Sequence, residues 1–431
     1  MKLVIVGLGT AGFAAALAAR KTDRNCSITI IDEKSYDLMH PCGLPFYLEG
    51  RIKNIENLKH HLNLKQMNIE KVKDKAIGID TKNKEIITEN NKKIKYDKLV
   101  IATGASPFVP PIEGKEIAYV VDSLESAEKI KKAAKKGKKA CVIGAGAIGL
   151  ETAFALNENG LDVSVADMLP SSFPRAIDPD MSAIIEEYLT NKKIRLLFNE
   201  KIKKIEKNKV ITENKEIDAD IVVLATGVKA NIETAKKAGL KATEFGITIN
   251  EKMQTSNKDV YSAGDCVQVN SLINNKPFAA QIATTAYKQG TIAGTNAVGG
   301  NLIYKGNLGT FVSVIGELEI AATGFNEFFA EQNGYNIVSA KAKSLTKPDW
   351  FPGGKEITVK ILADKKTGKI IGGQAIGEGA SHRINVLSAA IKAGFTLGDL
   401  SDLELAYCPG VSQHYDVLVM AADLGLRKLG K

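Results

Sequence analysis

Residues 2–6, KLVIV, form an almost unbroken apolar run, the pattern of a parallel strand buried on both faces. An alanine-rich stretch of helical character, FAAALAARK (13–21), follows it, and SITIID (27–32) returns to strand character. The same order recurs at 139–167 in KACVIGAGAIGLETAFALNENGLDVSVAD. Two more apolar strands, in YDKLVIATGA (96–105) and ADIVVLATGV (219–228), each end in Ala-Thr-Gly, and DVYSAGDCVQV (259–269) carries a strand that ends in Gly264-Asp265. After about residue 304 the pattern changes. LGTFVSVIGELEIAATG, EITVKILAD and KIIGGQAIG predict antiparallel strands, while SHRINVLSAAIKAG and SQHYDVLVMAADLG predict amphipathic helices. The expected fold class is α/β, with two Rossmann-like dinucleotide-binding domains and a C-terminal α+β domain.

The chemistry sits at the ends of these strands. Gly7-x-Gly9-x-x-Gly12 lies between a strand and a helix, and the next strand ends in Asp32. That context gives a glycine motif its meaning. The first glycine makes the tight turn, the second admits a pyrophosphate to the backbone, and the third lets helix and strand pack closely. Thr10 and Ala11 open the helix, whose N-terminal N–H groups and dipole favour phosphate. Asp32 is placed to take ribose hydroxyls. Gly144, Gly146 and Gly149, with Ala147 and Ile148 between the last two, repeat the motif, and Asp167 repeats the acid. Two complete units predict two bound dinucleotides. Ala102-Thr103-Gly104 and Ala225-Thr226-Gly227 close the two sheets near them, and Asp265 is placed to accept a hydrogen bond from a polyol chain.

The 431 residues leave room for two or three domains. The formal charge of +9 is mostly scattered lysine, as in KKAAKKGKK (131–139), and reads as a solvated surface. No aromatic residues interleave with the lysines, so nucleic-acid binding is not expected. No run reaches the roughly 18 apolar residues of a membrane span, and the chain enters a strand at once instead of a basic leader. The expectation is a cytoplasmic protein. The five cysteines, Cys26, Cys42, Cys141, Cys266 and Cys408, contain no CxxC pair. That argues against a zinc site or a disulfide framework, and no metal is expected.

The remaining signal is HPCGLPFYLEG (40–50), where one cysteine lies between two prolines and leads into an apolar, helix-like run. Taken with the two dinucleotide units, the ATG turns, the Gly-Asp and the C-terminal α+β domain, it resembles the pyridine nucleotide-disulfide oxidoreductase superfamily. The closer resemblance is to its single-cysteine branch of coenzyme A disulfide reductases, NADH oxidases and NADH peroxidases. CGLPFY is similar to the CGLPYY of coenzyme A disulfide reductases. The resemblance implies an FAD-binding domain at 1–113 with 245–304, an NAD(P)H-binding domain at 114–244, and a dimerisation domain at 305–431 that completes the active site in a homodimer. It also implies that Glu33, Lys34, Pro41, Ala76, Ala283 and Thr284 line the flavin nucleotide's site. Cys42 becomes the redox centre, cycling between thiolate and a mixed disulfide or sulfenic acid.

The carry-over has departures. Thr10 stands where oxidases and peroxidases of the branch carry a histidine. Tyr407, in AYCPG, matches one of the two tyrosines of the disulfide reductases, and Trp350, in WFPG, stands at the other. Pro41 replaces an asparagine, which makes His40 the nearest titratable neighbour of Cys42 and a candidate acid or base. Arg20 and Lys21 match a basic pair that lies near coenzyme A in those reductases; an exposed helix end with favourable cations is the alternative. Cys408 stands just before Pro409, where two-cysteine relatives carry a catalytic histidine, so it is a candidate resolving thiol with His414 to assist it. Asp167, followed by Met168-Leu169-Pro170 without an arginine, favours NADH over NADPH. The expected function is NAD(P)H-dependent reduction of a low-molecular-weight disulfide such as coenzyme A disulfide. Alternatives are an NADH oxidase, a sulfur or polysulfide reductase, and a non-catalytic redox-sensing flavoprotein that acts through a partner.

Overall fold

The run at 2–6 is the central strand of a five-stranded parallel sheet, ordered Val260–Ser262, Lys98–Ile101, Lys2–Val6, Ser27–Ile31, Ile69–Val72 in the computed structural model. The structure describes residues 1–430. Leu3 pairs with Ile28 on one side and Lys98 on the other. Helix α1 (Thr10–Thr22) and the Ala283–Ala297 helix pack on each other and on this sheet, and Ile79 and Ile86 join the same core. The core is aliphatic: Leu3, Ile5, Ile28, Ile30, Leu99 and Ile101 are all buried. This unit comprises residues 1–43, 54–107 and 228–307.

The second unit comprises residues 44–53, 108–227 and 308–430 of the described chain. It opens with a short helix, α2 (Leu44–Glu49), followed in the chain by α3 (Leu124–Ala134). Its parallel sheet runs Tyr119–Val120, Ile221–Leu224, Lys139–Ile143, Asp162–Ala166, Arg195–Leu197. Helix α4 (Ala147–Glu158) packs on it. The same unit holds an antiparallel sheet ordered Phe311–Ile315, Leu318–Gly324, Ile370–Gly377, Glu356–Asp364, Ile337–Leu345. The predicted helices are Ala380–Ala393 and Val417–Lys428 and cover that sheet through Leu387, Ala421 and Ala422. SQHY is not helical. Asp416 caps the second helix by accepting from Leu418 N at 2.9 Å, so the helix starts at Val417.

The strand at Ile337–Leu345 and two three-stranded meanders, at 76–95 and 202–218, were not foreseen. A buried lysine also holds the second unit together. Lys360 Nζ lies 3.0 Å from Asp178, 2.7 Å from Asp180 and 2.9 Å from Glu327. Among the described residues no helix is long and apolar enough to cross a membrane.

Candidate active site and dinucleotide sites

The first glycine loop is shaped by what a side chain would strike. Gly7 turns at φ +101°, and a Cβ there would lie 2.3 Å from the Ala102 carbonyl oxygen. A Cβ on Gly12 would lie 2.0 Å from the Gly7 oxygen, whereas one on Gly9 would meet nothing within 4 Å. Gly9 therefore faces open space at the N-terminus of α1, which no side chain caps. Thr10 and Ala11 are its first residues. Asp32 is buried and accepts from Leu8 N at 2.6 Å and Lys34 N at 2.9 Å, while Lys34 Nζ stands 3.3 Å from it. Glu33 is exposed beside Lys75, and Ala76 begins the first meander.

The same unit brings the other predicted residues to this loop. Ala102 N donates to Val6 O at 2.8 Å, and Thr103 Oγ1 donates to Asn231 O at 2.8 Å. Gly104 turns at φ +65°. A Cβ on Gly264 would sit 2.9 Å from Ala11 Cβ, so the Gly-Asp turn abuts the start of α1. Asp265 next to it is half-buried, and desolvation pushes its carboxyl up to about 6. Ala283 and Thr284 are exposed at the start of their helix. An open pyrophosphate cradle beside a desolvated carboxylate suits a dinucleotide whose linker carries hydroxyl groups.

The second loop repeats the device. Gly144 turns at φ +115° with its Cβ position 2.3 Å from Ala225 O, Gly149 abuts Gly144 O at 1.9 Å, and Gly146 is open. Asp167 accepts from Ala145 N at 2.7 Å and Leu169 N at 2.8 Å, matching Asp32 in role. Thr226 Oγ1 donates to Phe108 O, and Gly227 turns at φ +98°. Ala147 and Ile148 form the first turn of α4, with Ile148 exposed. Sequence reasoning missed Glu151, one turn further along α4. It accepts from Ser313 Oγ at 2.6 Å, and burial pushes its carboxyl up. Its signal was its place two residues after Gly149, which by itself identifies no partner.

Cys42 is exposed in a single 3-10 turn, Pro41–Gly43. Gly43 N donates to His40 O at 3.0 Å, and His40 N donates to Leu58 O at 3.0 Å. The His40 and His60 rings meet edge to face at 4.9 Å. Pro41 is exposed beside the thiol. Cys26, Cys141 and Cys266 are buried, and desolvation raises all three thiols, Cys141 to about 12. Inert packing follows for them.

In the second unit the Trp350 and Tyr407 loops lie together. Gln413 Nε2 donates to Lys347 O at 2.7 Å, and Tyr407 meets the His414 ring at 6.0 Å. Trp350 is 67% and Tyr407 48% exposed. Cys408 is exposed at the turn, where its carbonyl accepts from Val411 and Ser412 N–H groups at 2.9 Å. Arg20 is not displayed for a ligand. Its guanidinium donates to the carbonyls of Met67, Arg24, Cys26 and Asn68 at 2.6–3.0 Å, bracing the end of α1, while Lys21 is exposed.

The family described as pyridine nucleotide-disulphide oxidoreductase matches residues 1–290, and its dimerisation domain matches residues 311–417. The chain belongs to this family. It is an enzyme of the family by its relatives also. It is 38% identical to an NADH oxidase of Methanocaldococcus jannaschii, over 100% of this chain and 99% of that protein. It is 34% identical to a CoA-dependent NAD(P)H sulfur oxidoreductase of Pyrococcus furiosus, over 98% of each. A solved NAD-dependent persulfide reductase from A. fulgidus superposes with a TM-score of 0.95 at 34% identity, covering 99% of this chain and 83% of that one. Reduced CoADR-RHD from Bacillus anthracis gives 0.96 at 30% identity, covering 100% and 80%.

Proposed function

We propose that this family member is a homodimeric, FAD-dependent reductase that passes electrons from NAD(P)H through Cys42 to a low-molecular-weight disulfide or persulfide. The single observation that carries this is the exposed Cys42 in a hydrogen-bonded turn, in a chain whose other unburied cysteine lies in a different unit. Gly7, Gly9, Gly12, Asp32, Ala102–Gly104 and Asp265 would hold FAD, which supplies the two-electron relay when bound. Gly144, Gly146, Gly149 and Asp167 would hold the nicotinamide nucleotide, and the three domain spans 1–113 with 245–304, 114–244 and 305–431 divide these duties. The uncapped N-terminus of α1 orients a pyrophosphate, and the Asp265 carboxylate takes a polyol hydroxyl. Cys42 attacks the disulfide as thiolate, forms the mixed disulfide and releases one thiol; His40, two residues before it in the chain, would protonate that leaving group. Tyr407 and Trp350 would cover the partner's site in the dimer, and Lys21 remains as a cation for an anionic substrate. We place the reaction in the cytoplasm, where thiols stay reduced.

A sulfur or polysulfide substrate is the second reading, favoured by the names of the Pyrococcus and A. fulgidus proteins. Asp167 repels a 2′-phosphate, so NADH is the expected donor. The test is anaerobic turnover with NADH and NADPH against coenzyme A disulfide, polysulfide and, separately, oxygen. The expected result is fastest NADH oxidation with a sulfur acceptor. Oxygen as the best acceptor, or a higher kcat/KM with NADPH, would contradict the reading.

A further inference from the structure

Helix α2 begins two residues after Cys42 and is only six residues long, too short to be stable alone. Its last carbonyls need partners and its place must be imposed from outside. Side chains of α3 and α4 impose it. Tyr47, buried on α2, donates its hydroxyl to Glu128 Oε1 on α3. Lys131, three residues along α3, places its ammonium 3.7 Å from the centre of the Tyr47 ring and donates to Tyr47 O at 3.2 Å. Asn159, the C-cap of α4, donates to Leu48 O at 2.9 Å. Arg51, in the segment after α2, donates to Gly316 O at 2.8 Å. Two carbonyls of the last turn, those of Tyr47 and Leu48, and the one hydroxyl of α2 are thus each held by a different side chain.

The chemistry of the clamp is matched. Burial and the Glu128 bond push the Tyr47 hydroxyl up to about 12, so it remains a donor at any physiological pH. A cation over an aromatic face adds attraction that depends on ring position, unlike ordinary apolar contact. Glu128 and Lys131 carry opposite charges at i and i+3, so they share one helix face.

We propose that Tyr47, Glu128 and Lys131 are positioning residues for Cys42: they fix α2 on α3, and Gly43 alone separates α2 from the thiol. The proposal rests on the reading of Cys42 as the redox thiol. Thiol–disulfide exchange needs the attacking sulfur in line with the disulfide, and a shift of about 1 Å costs up to ~100-fold in rate. The clamp sets that geometry without touching substrate.

The experiment compares wild type with Tyr47→Phe, Glu128→Leu, Lys131→Met and the conservative Glu128→Gln in the full-length, flavin-loaded protein. Three readouts are taken: disulfide turnover, NADH:ferricyanide turnover, which bypasses the thiol, and the iodoacetamide alkylation rate of Cys42 by mass spectrometry. The expected result for Tyr47→Phe, Glu128→Leu and Lys131→Met is a fall in disulfide kcat of about 10-fold or more. KM for NADH and ferricyanide turnover stay within two-fold, and the alkylation rate changes several-fold. Glu128→Gln, which keeps an acceptor for the hydroxyl, restores most of the loss. Unchanged disulfide kcat and unchanged alkylation in the near-isosteric Tyr47→Phe and in Lys131→Met overturn the clamp, and so does a parallel fall of disulfide and ferricyanide turnover. If Cys42→Ser keeps disulfide turnover, the reading of Cys42 fails instead, which separates the two outcomes.

Discussion

Asp265 is the residue whose environment makes the sharpest statement. It is held up to about 6 by desolvation, above the usual value of 3.8. A carboxyl raised on folding contributes stability below its unfolded value and loses it as pH rises through the folded value. In flavin-free protein Asp265 therefore adds stability near pH 4 and has lost it above pH 6. Asp265→Asn removes the desolvated charge. The apoprotein variant should melt higher than wild type at pH 7, and the gap should close towards pH 4. A gap independent of pH would show that desolvation of this carboxyl is not the cause. The same substitution should weaken flavin retention, because an amide accepts a hydroxyl less strongly than a carboxylate does.

At the scale of elements, the glycine loops separate two kinds of constraint. Gly9→Ala has room for its methyl and should fold with near-normal melting, yet lose flavin affinity because the methyl occupies the phosphate approach. Gly12→Ala drives its methyl into the Gly7 carbonyl and should destabilise the fold itself. Thermal melting and flavin absorbance of the two variants check this, and equal melting would refute the distinction. These loops were legible in the sequence because strand, glycine turn, helix and acid are local and ordered along the chain. The meanders were not. Each of their strands is three to five residues long, in segments rich in lysine, so the alternation is too brief to stand out from a solvated surface. Their turns use Lys84 and Asn208 at positive φ, positions where glycine would have announced a hairpin. Tyr47 and Glu128 lie 81 positions apart, so no local pattern joins them. Arg20 shows the converse: its basic character was legible, but its four carbonyl partners belong to tertiary structure.

At the scale of the whole molecule, the exposed Trp350 and Tyr407 and the matched dimerisation domain at 311–417 point to assembly with a second copy. We propose that Cys408 of one subunit approaches Cys42 of the other and resolves its mixed disulfide, with His414 assisting. Gentle oxidation should then yield an intersubunit Cys42–Cys408 crosslink, seen as a dimer on non-reducing gels and lost in Cys408→Ser. Absence of the crosslink together with unchanged Cys408→Ser kinetics would remove the resolving role and leave Cys408 as a packing residue. The central claim is that electrons leave the enzyme through Cys42, and one measurement reaches it most directly: anaerobic NADH turnover by flavin-loaded Cys42→Ser with the best sulfur acceptor of the wild type. The account predicts that the variant keeps its flavin and its NADH:ferricyanide turnover while disulfide or polysulfide reduction falls to background; sulfur-acceptor turnover at the wild-type rate would contradict it.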